Sequence, residues 1–202
     1  MPKVPKAALK QMEDVLVVTV PEAVKRAKIT EPVCCLRIWY NGTDSSEEAI
    51  PHLLLVKEST RQKFVKKYGD DAIVLSGYLW SADEATFKGM SYDVSLPDTD
   101  LLKPYKTWYD YLCEMEEDEE LQPFREMVQR VSKKLNQLDW KPIIPVTDDF
   151  VVFPADGSHT FCDDLGDLQA SISPAQWKRF ESAGWIPDLS DLDPDDFDED
   201  DE

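Results

Sequence analysis

Helical and strand periodicities both run through this chain, and they follow one another without a regular strand–helix alternation. A doubly wound parallel sheet needs a crossover helix after nearly every strand. The chain does not supply that rhythm, so the expected class is α+β: a mainly antiparallel sheet with flanking helices, one at the N-terminus and one near the C-terminus.

The helical segments carry apolar residues at three- and four-residue steps. Ala8, Leu9, Met12, Val15, Leu16, Thr19, Ala23 and Ala27 predict an amphipathic helix over 6–28. Pro21 is expected to kink or split it, because proline lacks the N–H and clashes with the preceding turn. Ser59 or Thr60 caps a second helix that runs to Tyr68 and stops at Gly69. Ser81-Ala82-Asp83-Glu84 opens a short third one. Tyr105 to Glu120 sets Trp108, Tyr111, Leu112 and Met115 on one side. Its closing acids oppose the helix dipole. From Pro123, the stripe Phe124, Met127, Val128, Val131, Leu135 and Leu138 predicts a helix packed antiparallel on the one before it. Ser173-Pro174-Ala175-Gln176 combines an N-cap, a proline at the first helical position and a capping-box glutamine, with Gly184 as the stop.

Strands are expected at Val33–Tyr40, at Ile50–Val56 antiparallel to it, at Ile73–Trp80 and at Asp149–Phe153. Asp156-Gly157 reads as a turn, with His159-Thr160-Phe161-Cys162 returning as a hairpin partner. Residues 89–103 read as loop. Cys34 and Cys35 are expected on opposite faces of their strand. With no CxxC among the four cysteines, the thiols read as small apolar residues in a reduced, cytoplasmic setting. No apolar run is long enough for a membrane helix or a secretory signal.

Charge divides the chain. Ten of the last fifteen residues are acidic and none is basic, so of the net −19, residues 1–187 carry −9. A block of this kind repels itself and has too little apolar surface to order, which predicts a disordered tail over 188–202 behind a single domain at 1–187. At 202 residues and 42% hydrophobic content the chain can bury a core without metal or disulfide. The negative balance excludes a general nucleic-acid binder, which needs clustered Lys and Arg, and a polybasic membrane-surface protein.

Few residues suggest chemistry. His159, Cys162, Asp163, Asp164 and Asp167 form the most site-like group. A thiol near an imidazole could be a nucleophile with its base, but in a strand His159 and Cys162 face opposite sides and no third residue orients them. One His and one Cys fall short of a zinc set. The acidic tail lacks the spacing of a calcium loop, and no phosphate-binding or nucleophile-elbow motif occurs. No cofactor is expected. A hairpin followed by a solvated acidic loop accounts for the same residues. The bases Arg61, Lys63, Lys66 and Lys67 share one helix, and Lys25, Arg26 and Lys28 another, where they serve as solvated surface or meet an anion, the tail included. Six tryptophans exceed the needs of a core this size, and Trp177 and Trp185 flank the last helix beside the acids. Aromatic anchors rimmed by acids suit a basic protein partner.

The unit Thr147-Asp148-Asp149-Phe150-Val151-Val152-Phe153-Pro154-Ala155-Asp156-Gly157, followed by Ser171-Ile172-Ser173-Pro174, resembles small intracellular bacterial α+β proteins, among them domains of unknown function and immunity proteins of polymorphic toxin systems. The likeness follows the order of elements over residues 1–187 and contains no diagnostic motif, so it transfers no functional residue. It implies a non-enzymatic protein that neutralises a partner by binding. Two other classes fit the sequence: an enzyme of unidentified class using Cys162 with His159 or a carboxylate pair, and a nucleic-acid mimic with carboxylates at phosphate spacing.

Overall fold

The computed structural model describes residues 3–40, 51–68, 91–96, 100–114, 122–156 and 161–186. In chain order the elements are α1 (Lys6–Arg26), β1 (Val33–Tyr40), β2 (His52–Lys57), α2 (Glu58–Tyr68), β3 (Ser91–Val94), α3 (Leu102–Cys113), α4 (Gln122–Leu135), β4 (Val146–Asp156), α5 (Phe161–Ser171) and α6 (Pro174–Ser182). The class is α+β, with six helices and a four-stranded sheet in the order β3-β2-β1-β4 among the described residues.

The sheet is mixed. β1 runs antiparallel to β2, with Leu36 opposite Leu55 and Ile38 opposite Leu53, and β2 runs antiparallel to β3. β4 lies parallel to β1, with Leu36 opposite Val152 and Ile38 opposite Pro154. The expected hairpin partner for β4 is therefore replaced. Phe161 and Cys162 open α5 instead, because Phe161, Leu165, Leu168 and Ile172 repeat at helical steps and the last three are buried. β3 falls within 89–103, expected as loop. The expected strand at Ile73–Trp80, the helix from Ser81 and the tail 188–202 lie outside the described residues.

β1 is central, and helices cover both faces of the sheet. Its sequence is accordingly an almost continuous apolar run rather than an alternating one. On one face, Leu36, Ile38, Leu53, Leu55 and Val152 pack with Met12 and Leu16 of α1, Trp108 of α3, and Met127, Val131 and Leu135 of α4. On the other, Cys34, Cys35, Val56, Val151 and Phe153 meet Leu165, Leu168 and Ile172 of α5 and Phe180 of α6. The adjacent cysteines thus share a core instead of dividing between two. A bulge between Val33 and Cys35 inserts Cys34 as an extra residue and resets the alternation.

α1 continues through Pro21 without a split. Val20 just before it and Ala23 and Val24 beyond it are all buried, and burial worth about 1.5–3 kcal/mol per large side chain offsets a proline cost near 3 kcal/mol. α3 and α4 each pack along α1, and they touch where Trp108 stacks on Phe124 at 5.6 Å. α4 is also tied to α1 by charge, since buried Glu13 accepts from Arg130 Nε at 3.0 Å and Lys134 Nζ at 2.6 Å.

The outer edge of β4 is closed by one side chain. Asn136, just past α4, donates through Nδ2 to the Val152 carbonyl at 2.7 Å and accepts from the Val152 N–H at 2.8 Å. It also donates to the Ser171 carbonyl at 2.9 Å, which ties in the end of α5. The amide thus stands in for a neighbouring strand at a position where the ladder would otherwise be open. Pro154, two residues on, has its missing N–H on this same edge, where proline is tolerated.

Candidate functional site

The last described helix builds the surface of greatest interest. Pro174 sits in the first turn of α6. The Ser173 hydroxyl accepts from Gln176 N–H at 3.2 Å while Gln176 Oε1 accepts from Ser173 N–H at 3.1 Å, completing the capping box read from the sequence. The other end closes at Gly184, whose φ of 70° is the left-handed conformation that spares glycine a Cβ clash. Gly184 N–H donates to the Glu181 carbonyl and Trp185 N–H to the Phe180 carbonyl, both at 3.0 Å. These are the paired bonds of a Schellman turn, and the turn places Trp185 flat on the buried Phe180, with ring centroids 5.8 Å apart.

Trp185 also meets the Arg61 guanidinium of α2, 4.8 Å from the ring centroid. Arg61 is only 9% exposed, and it bonds both oxygens of Asp149 on β4, with Nη2 3.2 Å from Oδ1. Glu58 Oε2 lies 2.6 Å from the same Nη2. Burial alone would push the Asp149 carboxyl up, but the Arg61 hydrogen bonds and charge outweigh it and hold Asp149 below the ordinary aspartate range. The neighbouring Cys34 thiol is pushed well up, first by its hydrogen bond with Cys35 and then by burial, which keeps it a neutral core group rather than a nucleophile.

Trp177 sits on α6 half-exposed, its indole N–H donating to Glu181 Oε1 at 2.8 Å. With Trp185 and Ile186, also half-exposed, it packs against the core under α5 and α6. The sequence reading named both tryptophans, and the fold brings them to one region. The acids separate. Asp163 and Asp164 fall with Cys162 in the first turn of α5, and their side chains, like His159, lie outside the described residues. Asp167 is fully buried. It accepts from Arg125 Nε and Gln129 Nε2, each at 2.7 Å, and so clips α5 to α4 rather than offering a free rim charge.

In sequence Asp149 reads only as the start of a strand, and Glu13 carries no signal of its own. Their partners stand 88 and 117 residues away or more, and no local pattern pairs them. The available signal was a charge inside an apolar run, as in Asp149-Phe150-Val151-Val152.

Among the described residues no group of three or more His, Cys, Asp and Glu is placed to hold a metal. A shallow groove of about 520 Å³ lies along α1, lined by Lys10, Asp14, Val15, Val18 and Asp100 among others. Lys10 and Asp14 satisfy one another there. No described helix is long and apolar enough to cross a membrane. No protein-family model, curated protein or solved structure matches the chain.

Proposed function

We propose that the protein works by binding another protein of basic character through the surface around α6, as an immunity-type inhibitor does, in a cytoplasmic setting that keeps its thiols reduced. The observation that carries this reading is the trio Trp177, Trp185 and Ile186, held half-exposed by a capped, stapled helix immediately before ten acids in fifteen residues. Tryptophan supplies large contact area at low conformational cost and dominates interface energetics. The acids that follow would draw a cationic surface toward that patch, raising the association rate and making it salt-dependent. Rigid presentation matters as much as composition, because ordering a loose aromatic on binding costs affinity.

The test uses the full-length chain against a panel of purified basic proteins. A partner that binds at low salt should associate more slowly as salt rises. Its affinity should also fall by about tenfold or more, 1.4 kcal/mol, with Trp177→Ala, since it is Trp185 that the Arg61 guanidinium covers. Binding that ignores Trp177→Ala, or no binding across the panel, sinks the proposal.

A further inference from the structure

The outer face of α2 is basic on an acidic molecule. Beyond Glu58 the helix reads Ser-Thr-Arg-Gln-Lys-Phe-Val-Lys-Lys-Tyr, with no acid. Lys63, Lys66 and Lys67 are exposed on it, together with Val65 at 45%. Exposed Lys10 and Lys106 each meet an acid one turn along, Asp14 and Asp110. Lys63 and Lys66 have no acidic partner among the described residues, although the chain holds 41 acids against 22 basic residues.

The described chain also ends against this helix. Trp185 lies on Arg61, so the last described residues sit beside α2. Lys66 is five residues beyond Arg61, about 7.5 Å along the helix axis. Residues 188–202, which follow, could span up to about 50 Å if extended, so reach is no obstacle. They carry ten acids, the apolar residues Leu189, Leu192 and Phe197, and no base.

We propose that residues 188–202 dock on the outer face of α2 in the same chain, their acids meeting Lys63, Lys66 and Lys67. A single exposed ion pair contributes little. Two things change the balance here. The tether holds the acids near α2 at an effective concentration of about millimolar. Ten acids facing three lysines also offer many equivalent registers, so the contact needs no unique pairing and should be strongly salt-sensitive. The docked segment then acts as an intramolecular competitor: a basic partner must draw the same acids off α2. Docking itself requires no partner, so it is tested separately from the binding reading above.

Zero-length carbodiimide cross-linking of the full-length protein tests it, because this chemistry joins a carboxylate directly to a lysine. Trypsin releases a fragment from Phe180 to the end of the chain, and fragment sequencing locates the linked acid. At about 0.01 M salt, where the Debye length is about 30 Å, links from acids beyond residue 187 should favour Lys63, Lys66 and Lys67 over Lys10 and Lys133 by about tenfold; near 1 M, where it is about 3 Å, the preference should vanish. Mixing ¹⁴N- and ¹⁵N-labelled protein separates links within a chain from links between chains. The full-length double variant Lys63→Glu/Lys66→Glu, with its fold checked by circular dichroism, should lose the remaining links to Lys67. Links spread evenly over exposed lysines, links only between chains, or Lys67 links undiminished in the double variant would each overturn the proposal.

Discussion

Replacing Asn136 with alanine removes the side chain that closes the β4 edge, and the cost can be worked from its three hydrogen bonds. The Val152 N–H, the Val152 carbonyl and the Ser171 carbonyl all lose a partner at 2.7–2.9 Å. Val152 and Ser171 are both wholly buried. A buried polar group left unsatisfied costs about 1–3 kcal/mol, which would total several kcal/mol for three groups. Asn136 itself is half-exposed, so water can enter the gap and recover part of this. The expected destabilisation is about 2–3 kcal/mol, measured as a lower urea midpoint at unchanged slope. Amide exchange gives the sharper reading. Val152 N–H should exchange through local opening in Asn136→Ala, while the β1 amides keep the protection set by global unfolding. Asn136→Asp separates the donor and acceptor roles. It retains an acceptor for the Val152 N–H but turns a charged oxygen toward two carbonyls, so it should be at least as destabilising as alanine. Exposed Gln137, changed to alanine, serves as control. If Asn136→Ala falls within about 0.5 kcal/mol of the parent, as surface substitutions do, or Val152 stays protected, the edge-closing role is refuted.

Two further outcomes concern the internal ion pairs. Arg61→Met leaves half-buried Asp149 and Glu58 without their cation and should cost about 2–3 kcal/mol in urea unfolding at neutral pH. With burial no longer opposed, the Asp149 carboxyl should rise, so this variant should regain stability as pH falls toward 4; a loss on acidification as steep as the parent's would contradict the assignment. At Glu13, burial pushes the carboxyl up, but Lys134 and Arg130 together outweigh it and hold it below its ordinary 4.5. Its contribution is therefore complete above about pH 4.5 and lost as pH falls through the lower folded value, so Glu13→Gln should cost about 1–2 kcal/mol at pH 7 and flatten the curve below that point. Parallel acid-unfolding curves for the parent and Glu13→Gln would rule this out.

The parts of the fold legible in the sequence were those written in local pattern. The α4 stripe, the Ser173-Pro174 cap with Gly184, and the apolar run of β1 each name their own element within a dozen residues. What was not legible required distant partners. Residues 146–156 lie beside residues 33–40 in parallel, a pairing more than 100 residues apart that no turn motif announces. The hairpin expected at His159–Cys162 rested on the Asp156-Gly157 turn signal, and the helical period from Phe161 to Ile172 overrode it. The bulge that turns Cys34 and Cys35 to one face is set by the register of β1 against β2 and left no sign in either strand alone. For the candidate site, the two tryptophans were recognisable from composition and position. The Arg61–Asp149 pair beneath Trp185 was not, because its partners come from different halves of the chain.

That buried pairing also sharpens what the charge of the molecule implies. Among the described residues, Lys57, Arg61, Arg125, Arg130 and Lys134 bind inward to Glu31, Glu58, Asp149, Asp167 and Glu13. This set holds five cations and five acids and is neutral. The whole excess of −19 is therefore carried by the rest of the chain, ten charges of it beyond residue 187. Charge spent inside the fold joins α1 to α4, α4 to α5, and α2 to β4, where geometry rather than net balance decides its worth. Charge left outside is free to steer a partner or to meet α2. Neutralising acids in 188–202 should accordingly change association and its salt dependence while leaving the unfolding midpoint nearly fixed. Neutralising Asp149 or Asp167 should do the reverse, and that contrast separates the two roles of acid in this chain without knowledge of the partner.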